Sequence, residues 1–557
     1  MISIRAAGLA LALTAGSAGA QQLPLKRAAK PTKPAITAED LMSRLYVYAD
    51  DSMGGRAGGT PYNDKATGII ADWARKIGLT PAGDSGTFFQ SVPLTRRTWE
   101  VTPTVVAGTS YAYQKDFGVF AQWMTKPFEG ADVVFGGLLG DTSVHITAEQ
   151  TNGKVVVFGF TPDVAAKGLQ MQFGMALSRP VFGAAAVVLP MLDNAPAAVR
   201  SFFMSRESVS GPAAGPSRTM PPVLIASDAM ATALVGGPLA QAKWGTAGAR
   251  YTGRVALVES KASARNVVAT LEGSDPVLKH QYVAIGAHND HIGMNSSPVD
   301  HDSLRAYNGA VEKLKESLPA GKELTAEQRA GIKVNVDSIR RIRQVRRDSI
   351  ANGADDDGSG TVTVAEIAEA FAGSKVKPRR SLLFVWHTGE ELGLVGSDWF
   401  TRHPTVPLDS VVTQLNLDMV GRGAADDLNG GGPNYLMLVG SRRLSTELGD
   451  VVESVNKARQ ALFTFDYTYD ANGHPENIYC RSDHASYARY GIPVTFFTTG
   501  LHRDYHQVTD EAQYIDYPHM ANIGQLVYDV ALRVANADHR MLVDNPKPSS
   551  SNAACKQ

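Results

Sequence analysis

Gly353-Ala354-Asp355-Asp356-Asp357-Gly358-Ser359-Gly360 sets three adjacent acids between glycines. Neighbouring carboxylates repel one another, so an ordinary fold would leave such a run on a solvated turn. The flanks argue otherwise. Upstream, an apolar strand ends in Ala287-His288-Asn289-Asp290; downstream, one ends in Trp386-His387-Thr388-Gly389-Glu390-Glu391 and another in Leu415-Asn416-Leu417-Asp418. Acids and an imidazole at the ends of several apolar strands predict a single metal site. The triplet has a competing reading, because Asp355, Asp357, Ser359, Gly360 and Glu366 fall at positions one, three, five, six and twelve of a calcium loop. No second such loop is present to pair with it, and calcium would leave the other strand-end acids unexplained.

Working outward, apolar strands are expected at Asn266 to Leu271, Tyr282 to Ala287, Ser381 to Trp386, Val411 to Leu417, Tyr435 to Val439 and Val494 to Phe497. Helical periodicity separates them at Thr361 to Phe371, Leu444 to Ala461 and His519 to Ala535. Near-continuous apolar strands covered by helices predict an α/β fold with a mixed, mostly parallel central sheet sandwiched by helices. In such sheets ligands bind beyond the carboxyl ends of the strands, where His288, Glu390, Glu391 and Asp418 lie. Two further helices precede the sheet, one starting near Thr37 and one closed by Gly78. The glycine-rich turn between them, 54–60, lacks the Lys-Ser/Thr ending of a phosphate loop and reads as a plain loop.

At 557 residues the chain is too long for one simple core. Its net charge of −1 gives no general attraction to nucleic acid or anionic membrane. Residues 1–20 read as a signal peptide, with Arg5, an apolar run and Ala18-Gly19-Ala20, so a periplasmic or secreted protein is expected. A linker, 21–36, leads to the first part of the catalytic domain at 37–124. Short strands between Gly, Pro and Ser turns mark 125–253 as an inserted β-rich domain. The rest of the catalytic domain follows at 254–540, and 541–557 reads as a disordered tail. Only Cys480 and Cys555 are present; they could pair, but the fold is not expected to depend on a disulfide framework.

The catalytic domain is interrupted at 303–350 by a charged helical insertion ending in Ile339-Arg340-Arg341-Ile342-Arg343-Gln344-Val345-Arg346-Arg347. A solvated helix packed by one apolar stripe is the plain reading; a patch for nucleic acid or an acidic partner is the alternative. Both ends leave the rim of the expected site, so the segment is also placed to form a lid.

A pair of divalent metals needs a bridging carboxylate, terminal histidine and carboxylate ligands, and a water between them. The chain supplies His288, the aspartate triplet, Glu390-Glu391, Asp418 and Tyr505-His506 in that order. Nitrogen and oxygen donors of this kind suit zinc. Asp290, two residues beyond His288, is placed to fix its tautomer. Of the adjacent Glu390 and Glu391, one can coordinate while the other acts as general base.

These motifs, with Gly389-Glu390-Glu391-Leu392-Gly393-Leu394-Val395-Gly396-Ser397 and Leu417-Asp418-Met419, resemble the di-zinc aminopeptidase family of clan MH, which includes aminopeptidase Y and relatives of glutamate carboxypeptidase. The opening Gly54-Gly55-Arg56 to Gly78-Leu79-Thr80-Pro81 is similar too, and the β-rich insert resembles that family's protease-associated domain. The resemblance implies two Zn2+, with Asp356 as the bridge. It implies His288 and Asp418 on one metal and Glu391 and His506 on the other. Glu390 would be the base, Asp290 the residue orienting His288, and Tyr505 a phenol that hydrogen-bonds the tetrahedral intermediate. A cis peptide often follows the bridging acid in that family and would fall at Asp356-Asp357. The implied activity is an aminopeptidase acting on peptides with a free N-terminus. A carboxypeptidase, a glutaminyl-cyclase-like enzyme, a non-catalytic binding protein and a calcium-binding module are the alternatives. His291, His301, His387, His484 and His502 lie near the motifs and read as structural or surface groups. Asp483-His484 could support the pocket, with a helix cap at Ser482 or Asp483 as the plainer reading. No Gly-x-Ser-x-Gly or His-Glu-x-x-His string occurs.

Overall fold

A computed structural model describes residues 23–120, 125–165, 169–195, 200, 203–212, 219–315, 317–318, 324–341, 344–428, 430–546 and 555–557. The signal-peptide reading at 1–20 lies outside them. Its organising element is a nine-stranded sheet. Four strands run parallel at its centre, in the order Ser381–His387, Tyr282–His288, Val411–Leu417 and Val494–Thr498. Arg265–Leu271 joins one side antiparallel, and Tyr435–Val439 joins the other. Ser381–His387 and Val411–Leu417 are buried at every residue, as expected of strands covered on both faces.

The helix Gly360–Gly373 follows the acidic triplet and packs against the sheet on one side and the helices Ala38–Tyr48 and Tyr517–Ala535 on others. That position explains why its apolar residues are not confined to one stripe. Phe371 stacks on Tyr528 with ring centroids 4.0 Å apart, and burying such a ring contributes roughly 2–3 kcal/mol. Ala38–Tyr48 begins where the Thr37 hydroxyl accepts the Asp40 N–H. Pro61–Ile77 ends at Gly78, whose φ of 87° suits a residue without Cβ.

The glycine-rich turn is more than a connector. It delivers the fully buried Arg56 beneath the triplet, where the guanidinium donates to the carbonyls of Asn352 (2.6 Å) and Gly353 (2.8 Å). A Cβ at Gly55 would come within 2.3 Å of the Gly293 carbonyl oxygen, so the approach needs glycine there.

A second unit carries a five-stranded sheet and a four-stranded sheet over their own cores. Its strands run from Leu94–Val101 to Tyr251–Ala262, so the compositional boundaries at 125 and 253 fall inside it. Most of the five-stranded sheet is parallel and helices flank it, an arrangement that turn spacing alone did not suggest.

The charged insertion is not one long helix. It stands on an antiparallel ribbon of Gly293–Asp300 with Arg347–Ala351, and its described helices are His301–Lys315, Ala326–Ala330 and Asp337–Arg340. Arg340 pairs with Asp300 and Asp302, and Arg346 pairs with Asp348 and Glu511. These guanidiniums are thus engaged within the fold instead of forming an open cationic patch.

Cys480 and Cys555 are disulfide-bonded, and Gln557 hydrogen-bonds Tyr469, Ala471 and Tyr479. The end of the stretch read as a disordered tail is therefore tied down, over a separation of 75 residues that sequence spacing did not reveal.

Candidate metal centre

Each acid of the triplet has different partners. The Asp357 carboxylate accepts backbone N–H groups from His288 (3.0 Å), Gly360 (2.9 Å) and Met419 (3.3 Å), joining two strand ends to the start of a helix. Asp355 accepts from Gly421 N–H at 2.6 Å and faces His502 at 3.1 Å. Asp510 in turn accepts the N–H groups of Asp355 and Asp356. Only the Asp356 side chain is left to face the strand ends. The Asp356–Asp357 peptide is cis, as the resemblance implied. Gly353, at φ 53°, cannot be larger, since a Cβ would lie 2.3 Å from the Asp356 carbonyl oxygen and 2.5 Å from the His291 ring.

The calcium-loop alternative fails on these partners. Asp357 is engaged by three backbone donors, the Ser359 hydroxyl donates to the Asp355 carbonyl, and Glu366 is paired with the buried Arg44. The oxygens that loop would need do not converge.

Around Asp356 the geometry is that of two donor clusters sharing one carboxylate. Oδ1 lies 3.1 Å from His288 Nε2, and Oδ2 lies 3.1 Å from His506 Nε2. Asp418 Oδ1 stands 3.6 Å from His288 Nε2, and Glu391 Oε2 stands 3.0 Å from His506 Nε2. His288, Asp356 and Asp418 can thus hold one metal ion, and Asp356, Glu391 and His506, joined by His291, another. Despite these separations, His288 Nε2, His506 Nε2 and Asp356 Oδ2 are buried without a hydrogen-bond partner. Orphaned donors that converge without bonding one another fit a cation between them.

Sequence reasoning set His291 aside, yet its Nδ1 lies 2.8 Å from Glu391 Oε1 and 3.6 Å from Asp356 Oδ2. The signal available was its place one residue beyond Asp290; which way a side chain leaves a strand end is fixed by the turn and is not legible in spacing. Ser482 and Arg481 were also missed as site residues. The Ser482 hydroxyl donates to Asp418 Oδ2 at 2.7 Å, so it orients that carboxylate and is not a helix cap. The Arg481 guanidinium donates to the Tyr505 hydroxyl at 3.3 Å, and both line the pocket over Asp356, Glu390 and Asp418. The Tyr505 ring stacks on His506 with centroids 3.9 Å apart.

Asp290 supports His288 in a different way from the one expected. His288 Nδ1 is 3.1 Å from the Asp290 backbone carbonyl, whereas the carboxylate is 3.8 Å away and accepts the Glu390 N–H instead. The other histidines stay outside the two clusters. His387 lies 3.4 Å from Asp483, His484 stacks on Phe496, and His301 faces Glu511.

Burial raises the Glu390 carboxyl well above the usual range, reinforced by Glu391, Asp418 and Asp483 against the lowering effect of His288. Burial also raises Asp290, to about 7. At His506 burial pulls the pKa down, but the carboxylates of Asp356 and Glu391 beside the ring outweigh it and carry it to about 10. In the metal-free chain this raised imidazolium contributes stability that is complete below an unfolded value of about 6.5, and is lost as pH rises through about 10. A cation requires the neutral ring, so it must displace that proton. Metal affinity should therefore rise about tenfold or more per pH unit between roughly pH 7 and pH 10. Chelator-competition titrations check this; an affinity independent of pH contradicts it.

The model of Peptidase family M28 matches residues 266–531. A probable leucine aminopeptidase of Arthroderma otae is 27% identical over 197 residues, covering 34% of this chain and 49% of its own length. Leucine aminopeptidase 1 of Pyrenophora tritici-repentis is 27% identical over 200 residues, with 34% and 48% covered. The chain thus spans about half the length of the curated relatives it matches. Among solved structures, a zinc aminopeptidase from Bacillus subtilis aligns with a TM-score of 0.51 at 17% identity, over 92% of this chain and 100% of that one. At that identity the likeness is one of fold. The matched stretch holds both donor clusters and the strands that present them, so it is over residues 266–531, metal-facing groups included, that the chain is similar to Peptidase family M28.

Proposed function

We propose that this chain is an exported exopeptidase that removes N-terminal residues from peptides with two zinc ions. The observation that carries the reading is the Asp356 carboxylate, whose two oxygens face two different imidazoles at 3.1 Å each. His288 and Asp418 would complete one ion's ligands, and Glu391 and His506 the other's, with His291 beside the second. Zinc held there supplies Lewis acidity toward the scissile carbonyl and lowers the pKa of an attacking water toward about 7. Glu390 faces the same pocket and, with its raised carboxyl, can take that water's proton and hand it to the leaving amine. Tyr505, which accepts from Arg481, would donate its hydroxyl to the oxyanion of the tetrahedral intermediate. Asp290 holds the Glu390 backbone and so fixes where that base points. The names of the fungal relatives favour the aminopeptidase direction. Export rests on the signal-like residues 1–20, and a paired Cys480–Cys555 fits an oxidising compartment.

A carboxypeptidase is the second reading. Arg481 favours it, because a guanidinium in the pocket wall could hold a C-terminal carboxylate. A panel of aminoacyl anilides and N-acetylated peptides, assayed with and without chelator, separates the two. We expect cleavage of free-amine substrates alone, abolished by chelator and restored by zinc. Release of C-terminal residues from the blocked peptides would overturn the aminopeptidase reading.

A further inference from the structure

Two cavities meet at Tyr469, Gly500 and Leu501. The first, over Asp356, Glu390 and Asp418, has a volume of about 40 Å³, room for a few waters. The second, about 590 Å³, runs from that junction to Gly309, Glu312 and Lys313 on the helix His301–Lys315. Its size falls within the range of ligand pockets. The insertion that interrupts the metal-bearing domain therefore supplies the far wall of a cleft that adjoins the metal-facing pocket across Tyr469, Gly500 and Leu501.

That wall is fixed to the site. Arg305 on the same helix lies over the Tyr514 ring at 3.7 Å and pairs with Asp504 at 3.5 Å, and Asp504 immediately precedes Tyr505-His506. Charge in the cleft is uneven. The carboxylates of Glu312, Asp426, Asp427 and Asp466 line it against the cations Lys313 and Arg503. Arg422 answers Asp427, and the Tyr435 hydroxyl donates to Asp466. Arg503 is shared among Asp426, Asp427 and Asp504 at 3.6–4.0 Å. Glu312 and Asp426 are held by long ion pairs, to Lys315 at 3.7 Å and to Arg503 at 3.6 Å, and with side chains 41% and 80% exposed they can exchange those partners for an incoming cation.

We propose that the insertion makes this a peptidase of chains longer than a dipeptide, whose part beyond the scissile bond lies in the cleft and favours a basic side chain. The proposal rests on the peptidase reading of the metal-facing pocket. Its test uses the zinc-loaded full chain and two tetrapeptides identical but for lysine or glutamate at the third residue. The lysine peptide should show a kcat/KM about tenfold higher at low ionic strength, with the advantage shrinking as salt rises. Glu312→Lys combined with Asp426→Lys should invert the ratio. Equal rates on the two peptides, or a preference that survives the double reversal, overturn the cleft alone. Failure to cut any free-amine peptide overturns the peptidase reading and the cleft with it.

Discussion

Replacing Glu390 by Gln should lower the turnover of a free-amine substrate by about 100-fold to 10,000-fold, the range that a positioned general base contributes. Metal content should not change, because the donor clusters do not include Glu390. The amide keeps the shape of the side chain, and the backbone N–H stays on Asp290, so the pocket should hold its form. The check is a zinc assay beside steady-state kinetics on the same preparation. Near-normal turnover with zinc bound would remove Glu390 from the chemistry, and lost zinc would make it a ligand.

Asp356→Ala should be equally severe for a different reason. The shared carboxylate is the one group that belongs to both donor clusters. Removing it should weaken metal binding by more than about 100-fold, the upper end of what loss of an outer-shell partner costs, and abolish activity with it. The chain should still fold. The Asp356 N–H that donates to Asp510 is retained in alanine, and the strand ends stay joined by Asp357. Unchanged circular dichroism with lost zinc is the expected pair of results. By contrast Asp357→Ala would orphan the buried N–H groups of His288 and Met419, leaving Gly360 its bond to the residue's own carbonyl, and damage there should show in folding before it shows in metal binding.

Much of this was legible in the residues, and the reasons are physical. A strand buried on both faces has to be apolar along its length, so a polar residue at its carboxyl end stands out; His288, Glu390 and Asp418 are visible that way. Asp356 could be chosen from its two neighbours only by resemblance, because the separate tasks of Asp355 and Asp357 depend on backbone groups as far away as Gly421 and Met419. His291, Arg481 and Ser482 were opaque for a related reason. Each acts through a partner roughly a hundred residues or fewer away along the chain, on another strand or loop, and no local period encodes that meeting. Arg56 was hidden in the same manner, its turn reading as loop until the carbonyls it holds are known.

The claim on which all of this depends is that two cations lie on either side of one aspartate. Anomalous diffraction at the zinc edge, from crystals of the zinc-loaded wild type and of Asp356→Ala, locates them directly. Two peaks should flank Asp356 in the wild type, one toward His288 and Asp418 and one toward Glu391 and His506, with both weakened in the variant. A single peak elsewhere, or two peaks that persist without the Asp356 carboxylate, would contradict the account.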